Sequence, residues 1–175
     1  MGTGRGLYAD PTWAASLRHH ALSDTGGEMR NDLDHVRSLA KQDSLAVVST
    51  TRSDGTLHAS VVNAGVLDSP ITGDACIGFV AGGASRKLQH LRGSGRAVAV
   101  FRRGADWVAV EGPVRLVGPQ DRFEDFGAAQ LARLLRRVFV AAGGTHQDWD
   151  EFDRVMEAEG RTAVFLTPER ISGNS

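Results

Sequence analysis

Leu45-Ala46-Val47-Val48-Ser49-Thr50-Thr51-Arg52-Ser53-Asp54-Gly55-Thr56-Leu57-His58-Ala59-Ser60-Val61-Val62-Asn63-Ala64-Gly65-Val66-Leu67 reads as two strands joined by a tight turn. Valine and threonine recur through both runs and suit a pleated backbone. Asp54-Gly55 is the strongest short hairpin signal, because glycine enters the left-handed region that such a turn needs. The spacing predicts one strand over 44–52 and the next over 56–67. Both faces of the second carry apolar or small residues, as expected of a strand covered on two sides. One of those sides is a candidate subunit interface.

Working outward, Asp68-Ser69-Pro70 breaks the second strand and Gly73-Asp74 closes that turn. Ala75–Ala81 predicts a third strand, ended by Gly82-Gly83. A short basic helix is expected over 85–92, a fourth strand over 96–102 and a fifth over 107–117. Gly112-Pro113 marks a bulge or bend in the fifth. Phe123, Phe126, Gln130, Leu131, Leu134, Leu135 and Val138 recur at helical spacing and predict a helix over 121–140. Thr145 and Asp148 resemble a capping box opening a second helix that runs to Glu159, with Gly160 just past its end. A last strand is predicted over 161–168. Upstream, Asn31 or Asp32 caps a helix whose stripe is Leu33, Val36, Leu39 and Ala40. Many hairpin-linked strands with a few helices predict a mainly β, α+β fold with a closed or partly closed barrel. Residues 1–30 lack sustained periodicity and are expected to be an arm; 31–175 form the barrel domain.

The 175 residues suit one domain, with 41% hydrophobic and 23% charged residues. The formal net charge of -1 points to neither nucleic acid nor membrane surface. No apolar run approaches a membrane span, and no signal-peptide core is evident, so a cytoplasmic location is expected. The single Cys76 lies in an apolar run and reads as a small core residue.

No HExxH, paired CxxC, GxSxG or complete phosphate loop is present, and no metal site is expected. The segment richest in chemistry is Gly82-Gly83-Ala84-Ser85-Arg86-Lys87. A strand enters two glycines and a helix begins, so free N–H groups face an incoming anion. The Ser85 hydroxyl and the charges of Arg86 and Lys87 could add to this. Arg92, Arg96, Arg102 and Arg103 could widen the basic surface. The competing reading is a solvated basic helix face that binds nothing. His58, His90 and His146 are scattered, with no metal-like spacing. Asp148, Asp150 and Glu151 are accounted for by helix capping. Trp107 and Trp149 could wall a cofactor ring, but core packing explains each more simply.

Three stretches together resemble the split-barrel flavin/deazaflavin oxidoreductases of the pyridoxamine-phosphate-oxidase-like superfamily, specifically the actinobacterial F420-dependent group B. They are Asp54–Val62, Ser85–Arg92 and Trp107–Gly112; Thr145–Phe152 and Pro168–Ile171 also match. Their order along the chain carries the likeness, which spans roughly residues 31 to 174. It implies an FMN-binding split β-barrel that is homodimeric, with cofactor sites at the interface. It places Lys87 on the cofactor phosphate. Ser60, Val61, Val62 and Asn63 fall beside the tricyclic ring, and Thr50 and Thr51 near the phosphoribityl chain. Arg86 supplements Lys87 or meets the acidic tail that distinguishes F420 from FMN. Three positions depart from the pattern. His90 stands where Asn is usual, Ser94-Gly95 where Asp-Pro is usual, and Ser85 where Arg is frequent.

The implied activity is hydride transfer between F420 and a small unsaturated or quinone-like substrate. The cofactor carries the difficult step, which fits the absence of a catalytic side-chain motif. His58 and His90 are the candidate acids if one is needed. The alternatives are an FMN-binding oxidase or reductase, a non-catalytic F420 carrier, and a barrel that has lost its cofactor.

Overall fold

In a computed structural model, the residues described are 33–121, 123 and 127–174. The arm expected over 1–30 and the caps expected at Asn31 or Asp32 lie outside them. Helix α1 (Leu33–Gln42) leads into β1 (Leu45–Thr51) and β2 (Leu57–Asp68), then β3 (Ala75–Ala81). Helix α2 (Arg86–Ser94) is followed by β4 (Arg96–Arg103) and β5 (Asp106–Val117). Helices α3 (Ala128–Ala141) and α4 (Trp149–Ala158) precede β6 (Thr162–Leu166) and β7 (Arg170–Gly173).

The β1–β2 hairpin forms at the expected turn. Gly55 has φ 82°, and its N–H donates to the Arg52 carbonyl at 2.9 Å. Neighbours then pair antiparallel in the order β1-β2-β3-β6-β5-β4, and β4 returns to β1, which closes a six-stranded barrel. Closure leaves no free edge in the ring. β5 bends where it changes partners. Val108–Glu111 pair with β7, whereas Val114–Val117 pair with β6. Gly112 sits at the bend, and a Cβ there would lie 1.9 Å from the Thr167 carbonyl oxygen. Only glycine admits that approach.

The barrel interior is filled from alternate strand positions. Val48, Val62, Ile77, Phe79, Phe101, Val110 and Val164 are all buried in one cluster. Val36 and Leu39 of α1 and Leu88 and Leu91 of α2 join it. A second cluster lies outside the barrel wall, where Leu134, Leu135 and Val138 of α3 and Phe152 of α4 cover Cys76, Ala163 and Phe165. This explains the continuous burial of β3 and β6, which face apolar matter on both sides.

β1 and the first half of β2 differ. Ala46, Val48 and Thr50 point inward, while Leu45 and Val47 are exposed. Across the ladder Leu57 is 70% exposed and Val61 60%. The sequence expectation of a strand buried on both faces therefore fails over 57–63 within one chain.

Three other expectations are corrected. The helix expected from Asp121 begins at Ala128, with Gly127 at its N-cap, and Phe123 lies outside it and exposed. Gly118 and Asp121 exchange backbone hydrogen bonds in a turn that ends where the helix was expected to start. Asp148, not Thr145, caps α4, accepting from the N–H groups of Asp150 and Glu151. Those bonds, that to Glu151 foremost, hold its carboxyl below the ordinary 3.8. Asp148→Ala is expected to lower thermal stability above pH 3.8 and to lose that effect in acid, as protonation of the carboxylate already removes the cap. Finally, β7 is an additional strand beyond the one expected over 161–168.

Candidate functional site

The N-terminus of α2 is held against the barrel from two directions. Gly83 donates its N–H to the Glu159 carbonyl at 3.1 Å, and a Cβ on Gly83 would lie 2.5 Å from the Gly160 oxygen. Leu88 and Leu91 anchor the helix in the barrel core. Ser85 is the N-cap by position, yet its side chain makes no capping bond, and its Oγ is buried without a partner. A buried hydroxyl left unpaired is costly, so Ser85 Oγ is a candidate contact for a polar ligand.

Lys87 follows in the first turn of α2, half-buried. Among the described residues it makes no ion pair. Burial, then the nearby Arg161 charge, pushes its ammonium below the ordinary 10.5. Arg161 is itself paired with Glu159 at 2.5 Å. A cation without an ion pair beside a helix N-terminus has the chemistry of a candidate anion site.

The wall beside this point is the β1–β2 ladder, where Thr50 faces His58 and Val48 faces Ser60. Thr50 is 1% exposed, and its Oγ1 lies 3.0 Å from Nδ1 of His90 and 3.5 Å from the His58 carbonyl. The His58 and His90 rings meet edge to face with centroids 5.1 Å apart. Nδ1 of His58 and Oγ of Ser60 are buried and, like Ser85 Oγ, lack a partner. Burial first, then the charges of His90, Arg52, Lys87 and Arg86, lowers the His58 pKa below 6.5.

The structure thus gathers Thr50, His58, Ser60, Lys87 and His90 with Ser85 and Arg86 around one end of the β1–β2 hairpin. Val62 also faces inward, in the barrel core. Thr51, Val61 and Asn63 face the opposite, outer side, alternating with them as strand residues must. Two of the four arginines expected to widen the basic surface are paired with acids. Arg92 makes a two-pronged bond to Asp121 at 2.7 and 2.9 Å, and Arg96 meets Glu169 at 2.5 Å. Arg103 binds the Gln42 side chain. Trp149 packs with Phe139, Phe152 and His146, and Trp107 sits at the start of β5, so neither joins the Lys87 group. The residue that sequence reasoning undervalued is Thr50's partner His90. Their contact spans 40 positions, and no local pattern announces it.

No protein-family model and no curated protein matches the sequence. Solved structures do match. A pyridoxamine 5'-phosphate oxidase-related, FMN-binding protein of Nostoc punctiforme is 10% identical, with TM-score 0.55 over 85% of each chain. This chain has the split-barrel fold of the pyridoxamine 5'-phosphate oxidase-like proteins. A conserved hypothetical protein of Mycobacterium tuberculosis is 18% identical, with TM-score 0.60 over 85% of this chain and 87% of that one. An F420 reductase is 13% identical, with TM-score 0.52 over 78% of this chain and 94% of its own. At these identities the split barrel itself is what the proteins share.

Proposed function

We propose that this split barrel is an oxidoreductase that binds F420 and works on a small unsaturated or quinone-like substrate. The observation that carries the reading is the unpaired Lys87 beside the orphaned Ser85 Oγ at the start of α2. Lys87 and the first N–H groups of α2 would hold the cofactor phosphate, and Ser85 would donate to it. Ser60 and Val62, which face inward on β2, would border the ring, with Thr50 toward the phosphate-bearing chain. When bound, such a cofactor supplies the hydride chemistry. The chain's own part is to orient, to exclude water and to place polar groups. No side chain has to act as a nucleophile.

FMN is the second reading, and one observation favours it. Arg92 and Arg96, two of the arginines expected to meet an acidic tail, are committed to Asp121 and Glu169. Arg86 is exposed and remains available. Arg86→Glu is expected to weaken F420 roughly tenfold while affecting FMN less, because a polyanionic tail feels charge reversal more than a single phosphate does. Equal losses would remove the tail contact. The deciding experiment is side-by-side titration of F420 and FMN, followed by the cofactor's own fluorescence, then stopped-flow oxidation of reduced F420 by quinones and enones. Tight F420 binding with no protein-dependent turnover would favour a carrier.

We further propose that the site is completed by a second copy of the chain. Leu45, Val47, Leu57 and Val61 form an apolar stripe on the outer face of β1–β2, and no element of the described chain covers it. Thr51, Val61 and Asn63 lie on that face, so a second copy would bring them to the same cofactor as Lys87. Light scattering is expected to give a dimer at micromolar concentration, and Val61→Lys a monomer, since a charge in an apolar seam is left unpaired. A monomeric wild-type protein would remove the shared site.

A further inference from the structure

Four cationic or ionisable groups act electrostatically on His58. They are Arg52 at the end of β1, Arg86 and Lys87 in the first turn of α2, and His90 one turn later. Among the described residues, no carboxylate is among the charges that bear on it. Asp54, the acid nearest in sequence, is engaged with Thr56 in the hairpin turn at 2.6 and 2.9 Å. Burial and these positive charges disfavour a proton on His58, whose ring meets that of His90 edge to face. The local sign changes when an anion arrives beside Lys87.

Resting on the phosphate-site reading above, we propose that docking of an anionic phosphate group beside Lys87 is coupled to uptake of one proton by the His58–His90 pair. The proton comes from solvent and adds to a ring nitrogen; no other bond is made or broken. Two positive rings with centroids 5.1 Å apart repel, so the pair takes one proton rather than two. The hydrogen-bond geometry accommodates the charged form. Thr50 Oγ1 lies 3.0 Å from His90 Nδ1 and 3.5 Å from the His58 carbonyl. A protonated His90 donates to Thr50, whose hydroxyl then turns to the carbonyl. In the neutral form the same hydroxyl can donate to Nδ1 instead.

The sign follows from linkage. An anion raises the affinity of the pair for a proton, and by reciprocity a proton raises its affinity for the anion. The ligand is therefore held more tightly as pH falls through the range where the pair titrates. Arginine and lysine keep their charge there and contribute no such slope.

Sulfate is the probe for the test, because it keeps both negative charges while histidines titrate. Between about pH 7.5 and about pH 5.5, its affinity for the wild-type protein is expected to rise about fivefold or more. In a His58→Gln, His90→Asn double variant that gain should fall below about twofold. The wild-type protein supplies a second readout that no folding defect can obscure. Adding sulfate should move the NMR titration midpoint of one ring of the pair upward. An undiminished gain in the double variant, or midpoints that sulfate leaves unmoved, would overturn the coupling. If sulfate and FMN both fail to bind at either pH, the anion site itself is absent, and the coupling with it. FMN binding that is sensitive to Lys87→Ala but shows no histidine response leaves the site standing and removes the coupling alone.

Discussion

Lys87→Ala is expected to weaken binding of F420 or FMN by about 2 kcal/mol, roughly 30-fold in Kd. The argument is one of compensation. In the free protein Lys87 is half-buried beside Arg161 and makes no ion pair among the described residues, so its charge is partly desolvated without return. A phosphate restores what burial removed, and truncation forfeits that contact entirely. The apo fold should not suffer, because removing an uncompensated cation relieves repulsion with Arg161. The measurement is a cofactor titration of both proteins beside a melting curve of each. A change below tenfold would mean that the phosphate lies elsewhere. A loss of affinity together with a loss of stability would point to a structural role instead.

The largest expected effect on stability is at Gly65. Gly65 of β2 lies opposite Gly78 of β3, so the sheet presents a flat patch with no side chain on either strand. The end of α3 lies directly on it. A Cβ on Gly65 would fall 1.8 Å from the Ala141 carbonyl oxygen and 2.4 Å from its carbon. Those atoms are backbone and cannot swing aside, so either the helix lifts or the strand bends. Gly65→Ala is expected to cost about 3 kcal/mol, or roughly 6–12 °C in Tm. Gly93 in α2 is the control, since a Cβ there meets nothing within 4 Å. Gly93→Ala should gain up to about 1 kcal/mol from helix propensity. Opposite signs from the same chemical change would establish the contact, and matching signs would remove it.

Much of this barrel was legible because its signals are local. Asp54-Gly55 dictates a hairpin, and the strand at Ala75–Ala81 is bounded by its own turn and glycine pair. The failures have definite causes. Phe123 and Phe126 continue the helical period of Leu131 and Leu134, but a turn between Gly118 and Asp121 and the cap at Gly127 set the start of α3. β7 carries one buried side chain, Ile171, too little to register as a pattern. The surroundings of the candidate anion site were half legible. Strand, two glycines and helix put Ser85 and Lys87 at the start of α2, where the structure has them. The acids that neutralise Arg92 and Arg96 stand 29 and 73 positions away, beyond any window that scans neighbours. The split barrel brings them in.

The lone thiol of this chain offers a clock. Cys76 lies on β3, is 1% exposed and faces the layer beneath α3. Burial, with the Asp68 charge adding to it, pushes the thiol pKa up to about 12, so the nucleophilic thiolate scarcely exists in the closed protein. A thiol-specific dye added under native conditions must then wait for α3 to lift off the sheet. The labelling rate becomes a stopwatch for that single opening, readable without any engineered probe.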